Sequence, residues 1–149
     1  MRGGRLHRYI LQSAVTHLSR RGFTARWEVW VRGESFAGFA DLTALTPQGL
    51  LVVEAELSAR RIGGDLTKAR LLHATFLWIL VPNAAVRRAV HRALDRIGDD
   101  VISQKCVLTL GQVAAQLTKC FPLISTSNGL SASGKQITPP TADARSRND

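Results

Sequence analysis

The apolar positions of this chain recur with two different periods. From Arg5 to Arg21, Leu6, Tyr9, Ile10, Ala14 and Leu18 repeat at helical spacing among basic residues, and Gly22 supplies a stop. From Ala25 to Arg32 the period drops to two. Ala25, Trp27, Val29 and Val31 share one face; Arg26, Glu28, Trp30 and Arg32 share the other, as in a half-exposed strand. After a turn at Gly33-Glu34-Ser35, Phe36 to Leu45 and Leu50 to Ser58 read as the arms of a hairpin. The second arm is almost entirely aliphatic, the pattern of a strand buried on both faces. A helix is expected from about Asp65, taken as its N-terminal residue, to His73. A short buried strand follows from Thr75 to Val81 and stops at Pro82. Asn83 caps a helix to Ile97 whose stripe is Val86, Val90, Ala93, Leu94 and Ile97. Lys105 to Leu110 reads as a last strand and Gln112 to Leu117 as a short helix. The order α-β-β-β-α-β-α-β-α predicts an α/β (α+β) protein. Its mixed central sheet joins an antiparallel hairpin to a right-handed parallel crossover, with helices on both faces.

The hairpin carries acids where apolar residues are expected. Glu54 and Glu56 lie two apart on one strand, so both point to one face, roughly 7 Å from each other. Carboxylates are seldom buried unless they are paired or bind a metal. Thr46-Pro47-Gln48-Gly49 suits a tight turn. If Thr46 pairs with Gly49, Asp41 faces Glu54, a like-charge pair that a divalent cation would neutralise. A bulge at Gly49 would instead pair Asp41 with Ala55 and send it to the other face. A metal site requires the first register, or a compensating bulge elsewhere; the alternative is that Asp41 ends its strand at the surface and one glutamate is half exposed.

Composition sets the remaining bounds. With 149 residues and 45% hydrophobic content, the chain suits one domain, expected over 1–122, followed by a disordered tail over 123–149 rich in Ser, Thr, Gly and Pro. Of 20 basic residues 16 are Arg, and the net charge is +9, nearly all of it ahead of Ser125. Arg-rich surfaces suit phosphate, although a GC-rich genome also enriches Arg. Cys106 and Cys120 have no metal-type spacing, and His7, His17, His73 and His91 read as surface or boundary residues. No apolar leader or membrane span is visible, so the expected compartment is the cytoplasm.

Taken together, the elements and acids resemble the PD-(D/E)xK nuclease superfamily, the restriction-endonuclease-like fold. The resemblance covers Arg5 to about Val81 and rests on short motifs in fitting positions. Phe39-Ala40-Asp41 stands where Pro-Asp is usual, and Glu54-Ala55-Glu56 where acid-x-Lys is usual. Glu56 in place of Lys is the main departure. Some members of the superfamily move that Lys to the following helix, where Lys68 is the match here. Arg61, Asp65 and Lys68 share a helical face that could look back at the strand or simply lie in solvent. Other members carry a Glu in the first helix, where Gln12 is the nearest polar residue.

The resemblance implies a Mg²⁺- or Mn²⁺-dependent deoxyribonuclease. Asp41, Glu54 and the Ala55 carbonyl would bind metal. Glu56 would orient or deprotonate water, or hold a second metal. Lys68 or Arg61 would stabilise charge at the phosphate. Arg5, Arg8, Arg32, Arg60, Arg61 and Arg70 would grip the DNA backbone. A homodimer or a larger DNA-processing complex would supply specificity. The rival expectation is an inactive nucleic-acid-binding or assembly module of the same fold, from a mobile-element or replication system. A structural subunit facing a partner with Trp27 and Trp30 is a third.

Overall fold

The computed structural model describes residues 4–98 and 101–122, and the expected tail over 123–149 lies outside the described residues. The elements follow the expected order: α1 (Arg5–Arg20), β1 (Ala25–Arg32), β2 (Ala37–Thr46), β3 (Gly49–Ala55), α2 (Ile62–Leu71), β4 (Phe76–Val81), α3 (Ala84–Ile97), β5 (Gln104–Thr109) and α4 (Leu110–Cys120). They form an α+β protein around one mixed sheet of order β1-β2-β3-β4-β5. The first three strands are antiparallel, and β3, β4 and β5 run parallel. Among the described residues no helix is long and apolar enough to cross a membrane.

The aliphatic runs decide the centre of the sheet. Leu51, Val53, Phe76, Trp78 and Leu80 pack on one face under α1 and α4. Val52, Leu77, Ile79 and Val81 pack on the other under α2 and α3. Every residue of β4 is buried, as a parallel strand covered by helices on both faces must be. Asn83 caps α3 as expected, its side chain accepting from the Val86 N–H.

The hairpin takes the first of the two registers. Thr46 pairs with Gly49 and Leu42 with Val53. Gly49 sits at φ +129°, and a Cβ there would meet the Thr75 hydroxyl at 2.0 Å, so glycine is required on both counts. Thr46 Oγ1 donates to the Gly49 carbonyl at 2.7 Å and closes the turn.

Four expectations are corrected. The buried stripe of α1 is Ile10, Leu11, Ala14 and Leu18, whereas Leu6 and Tyr9 are exposed. Strand β1 does not keep one apolar face. Ala25 and Trp27 pack with the α1 side of the core, Val29 and Val31 with the α2 side. The switch falls at Glu28, whose φ of +47° breaks the alternation. Strand β3 ends at Ala55, so Glu56 lies just past it, its N–H donating to the Leu80 carbonyl. Finally, Asp65 does not begin α2. A 3₁₀ turn at Ala59–Arg61 starts the helix early, which puts Asp65 on the buried stripe with Ile62, Leu66 and Ala69.

Candidate active site

Strand β2 changes face at Asp41, because Ala40 packs toward α2 and Leu42 toward α1. That reversal brings the Asp41 carboxylate to the end of β3. Its Oδ2 accepts the Ala55 N–H at 2.9 Å and a bond from His7 Nε2 at 3.0 Å. Burial pushes the Asp41 pKa up, but the bonds from His7 and Ala55 outweigh it, so Asp41 is held below the usual carboxylate range. His7 is pushed up in return, chiefly by its bond to Asp41.

Glu54 leaves the middle of the sheet on the α2 side and is 1% exposed. Helix α2 meets it with Lys68, whose ammonium lies 2.6 Å from Glu54 Oε2 and 2.8 Å from Asp65 Oδ1. Asp65 is 1% and Glu56 7% exposed. Glu54 Oε1 and Asp65 Oδ2 are buried with no hydrogen-bond partner. Burying three acids around one ammonium is expensive. Burial first, and the Asp65 charge second, push the Glu54 pKa up to about 9 and the Glu56 pKa up to about 8. Asp65 is likewise raised by burial. Lys68 is pulled down by burial but raised further by Glu54 and Asp65.

Asp65 acts on Glu56 as well: after burial, its charge is the main reason that the Glu56 carboxyl is pushed up. The 2.6 Å contact from Lys68 is the geometry of an ion pair. Glu54 and Asp65 thus share one ammonium with Glu56 beside them, and burial pushes all three acids up.

These groups line one cleft of about 340 Å³, whose polar lining is His7, Glu28, Asp41, Glu54, Glu56, Asp65, Lys68 and Arg61 and whose aromatic lining is Phe36 and Phe39. Asp41, Glu54, Glu56 and Lys68 from the sequence reading are thus brought together. Arg61 joins them, and with Arg60 it also lines a neighbouring cavity that shares His7 and Glu56. Arg5, Arg8, Arg32 and Arg70 are exposed outside the cleft. Ala55 contributes its N–H to Asp41. Gln12 is exposed; the polar residue that α1 sends into the site is His7.

Two members of the site lie deeper than the sequence suggested. His7 was read as a surface or boundary residue, and Asp65 both as the N-terminal residue of α2 and as part of a helical face with Arg61 and Lys68. Each lies on the buried stripe of its helix: His7 precedes Ile10, Leu11 and Ala14 at spacings of three, four and seven, and Asp65 falls between Ile62 and Leu66. A polar residue in phase with an apolar stripe was the signal available.

Among the described residues no three His, Cys, Asp or Glu side chains are arranged to enclose a metal ion. No protein-family model and no curated protein sequence matches the chain. Among solved structures, a crystal structure of a protein of unknown function, AF1548, is similar over 67% of this chain, with 12% identity and a TM-score of 0.48. The match spans 57% of that protein's chain.

Proposed function

We propose that the protein is a metal-dependent nuclease of the restriction-endonuclease-like fold that hydrolyses DNA phosphodiester bonds. The observation that carries this reading is Lys68. Its ammonium reaches Glu54 from α2 at 2.6 Å, so a lysine stands beside the strand acid although position 56 is a glutamate. Asp41, Glu54 and Lys68 then supply the acid, acid and lysine that the resemblance calls for, from three different elements.

The donor set suits a hard divalent cation. All the acids offer oxygen, and Glu54 Oε1 and Asp65 Oδ2 are buried without partners. Magnesium keeps several waters and takes one or two carboxylates, so a ready-made three-ligand cage is not required. Asp41 and Glu54 would hold the ion, with the Ala55 carbonyl as a third oxygen. Bound there, a divalent cation would neutralise the acids and lower the pKa of a coordinated water.

The chain's own groups divide the remaining work. Asp41 is kept ionised and aimed by His7 and the Ala55 N–H. Glu56, raised to about 8, exchanges a proton near neutral pH, which suits a group that orients or deprotonates the attacking water. Lys68 and Arg61 bring positive charge to the phosphate as the bond to the leaving oxygen breaks. Arg5, Arg8, Arg32, Arg60 and Arg70 would attract the DNA backbone without reading sequence.

The test is cleavage of plasmid and oligonucleotide DNA in Mg²⁺, Mn²⁺ or EDTA, beside Asp41→Asn and Glu54→Gln. Metal-dependent cutting that both variants lose supports the nuclease. DNA binding that ignores EDTA, with no cutting in any metal, overturns it in favour of the binding or assembly module.

A further inference from the structure

Trp30 is 55% exposed and lies against Phe39 across β1 and β2, ring centres 4.7 Å apart at 61°. Phe39 lines the acidic cleft with Phe36 and Gly38, and the Phe36 ring packs against Gly38 where a Cβ would otherwise stand. An aromatic shelf therefore runs from the cleft wall to the surface. Positive charge flanks it, with Arg32 two residues beyond Trp30 on β1 and Arg61 inside the cleft. The cleft's volume of about 340 Å³ is near the small end of ligand pockets, room on the order of one nucleotide. Its reactive floor is deep, since Glu54, Glu56 and Asp65 are 1%, 7% and 1% exposed.

These observations act together. A paired, stacked duplex keeps its bases inside and cannot offer one to the cleft wall. A strand freed from its partner can, and every base has a face to lay on an aromatic ring. On the strength of the nuclease reading above, we infer that the substrate is single-stranded DNA, or the unpaired end of a duplex, and that Trp30 with Phe39 is the platform on which an unpaired base stacks. Stacking is tolerant of sequence, so the shelf selects strandedness without selecting a base.

The experiment measures binding without catalysis. Wild type, Trp30→Ala and Trp30→Phe are titrated in EDTA against a fluorescein-labelled oligo-dT 15-mer and a blunt hairpin duplex, and followed by anisotropy. Circular dichroism melts show that each variant is folded, and sedimentation shows its oligomeric state. Wild type should bind the 15-mer more tightly than the hairpin. Trp30→Ala should weaken the 15-mer by roughly 5- to 150-fold, the range for loss of one stacked base, and leave the hairpin unchanged. Trp30→Phe should keep most of the affinity. Unchanged 15-mer binding by Trp30→Ala, an equal loss on both DNAs, or loss of self-association in place of DNA binding would each overturn the platform. If wild type binds neither DNA, the nucleic-acid reading of the protein fails, and the platform with it. Metal-dependent cutting of duplex by both wild type and Trp30→Ala would keep the nuclease and remove the platform alone.

Discussion

Lys68→Met tests the electrostatics of the site directly. Methionine keeps the unbranched apolar stem but removes the ammonium that touches Glu54 at 2.6 Å and Asp65 at 2.8 Å. With both acids about 1% exposed, the folded variant cannot leave that charge unbalanced and must take up about one further proton. Protonating a carboxyl whose ordinary pKa is 4.5 costs about 1.4 kcal/mol for each pH unit above that value. The cost is therefore about 3.4 kcal/mol at pH 7 and about 0.7 kcal/mol at pH 5. The larger value falls within the roughly 3–5 kcal/mol typical of breaking a buried ion pair. The sign follows from the direction of the shift. Acids whose pKa values rise on folding favour the native state fully below their unfolded values. That contribution fades as pH climbs through 4.5 toward about 9 for Glu54 and about 8 for Glu56. Wild-type stability should thus decline with pH over this window, and the variant should decline more steeply by about 1.4 kcal/mol per unit. Urea unfolding in EDTA at pH 5 and pH 7, followed by far-UV circular dichroism, measures both slopes. An equal loss at the two pH values, or less than about 1 kcal/mol at pH 7, refutes the idea that Lys68 balances the buried acids.

Further expectations concern the same cluster and the turn that builds it. Binding of Mg²⁺ at pH 7 should release protons from the buried acids, which burial pushes up to about 9 for Glu54 and about 8 for Glu56, seen as calorimetric heats that vary with the ionisation enthalpy of the buffer; heats independent of buffer would count against it. His7→Ala frees Asp41 Oδ2 from one of its two donors, and metal affinity should drop about 10- to 100-fold with the melting temperature little changed. Gly49→Ala forces a Cβ into Thr75 at a φ of +129° and should cost more than about 2 kcal/mol in urea unfolding. His73→Gly relieves a φ of +53° just past α2, and a rise of about 0.5–1 kcal/mol is expected, read as an upward shift of the melting temperature.

The sequence made the sheet easy to read because its centre obeys one rule. Leu50 to Val53 and Phe76 to Val81 are apolar without interruption, and such runs lie between layers of helix whatever else the chain does. The hairpin register was legible as two alternatives, and the structure takes the one that pairs Thr46 with Gly49. Less legible was anything decided by a local break. The alternation of β1 predicts one apolar face, but Glu28 adopts a positive φ and reverses it, a conformation that composition does not announce. Helix α2 begins earlier than its caps suggest because the 3₁₀ turn at Ala59–Arg61 carries the chain into it, and that shift converts Asp65 from a cap into a buried acid. Asp41, Glu54 and Glu56 were legible as candidates because acids stand out in apolar strands, whereas Lys68 entered through the resemblance, as a lysine on the following helix. His7 was missed because Leu6 and Tyr9 offered a more apolar phase for α1 than the one it takes.

The buried acids also bear on which of the two functional readings the molecule favours. A protein that only bound DNA would need its arginines and could fill the end of β3 with valine. This chain instead places Glu54 and Asp65 at 1% exposure, leaves an oxygen of each without a partner, and has Glu56 holding a proton near neutral pH. Replacing buried ionic groups with apolar ones of similar size commonly stabilises a protein by about 1–4 kcal/mol. An arrangement that forgoes such stability, against total stabilities of about 5–15 kcal/mol, is the kind that clusters at functional sites. Glu54→Leu with Asp65→Leu separates the two readings by stability as well as by activity. For a retired site the double variant should unfold at higher urea than wild type and bind DNA unchanged. For a working one it should be more stable in EDTA, lose the stabilisation that Mg²⁺ gives the wild type, and cut no DNA.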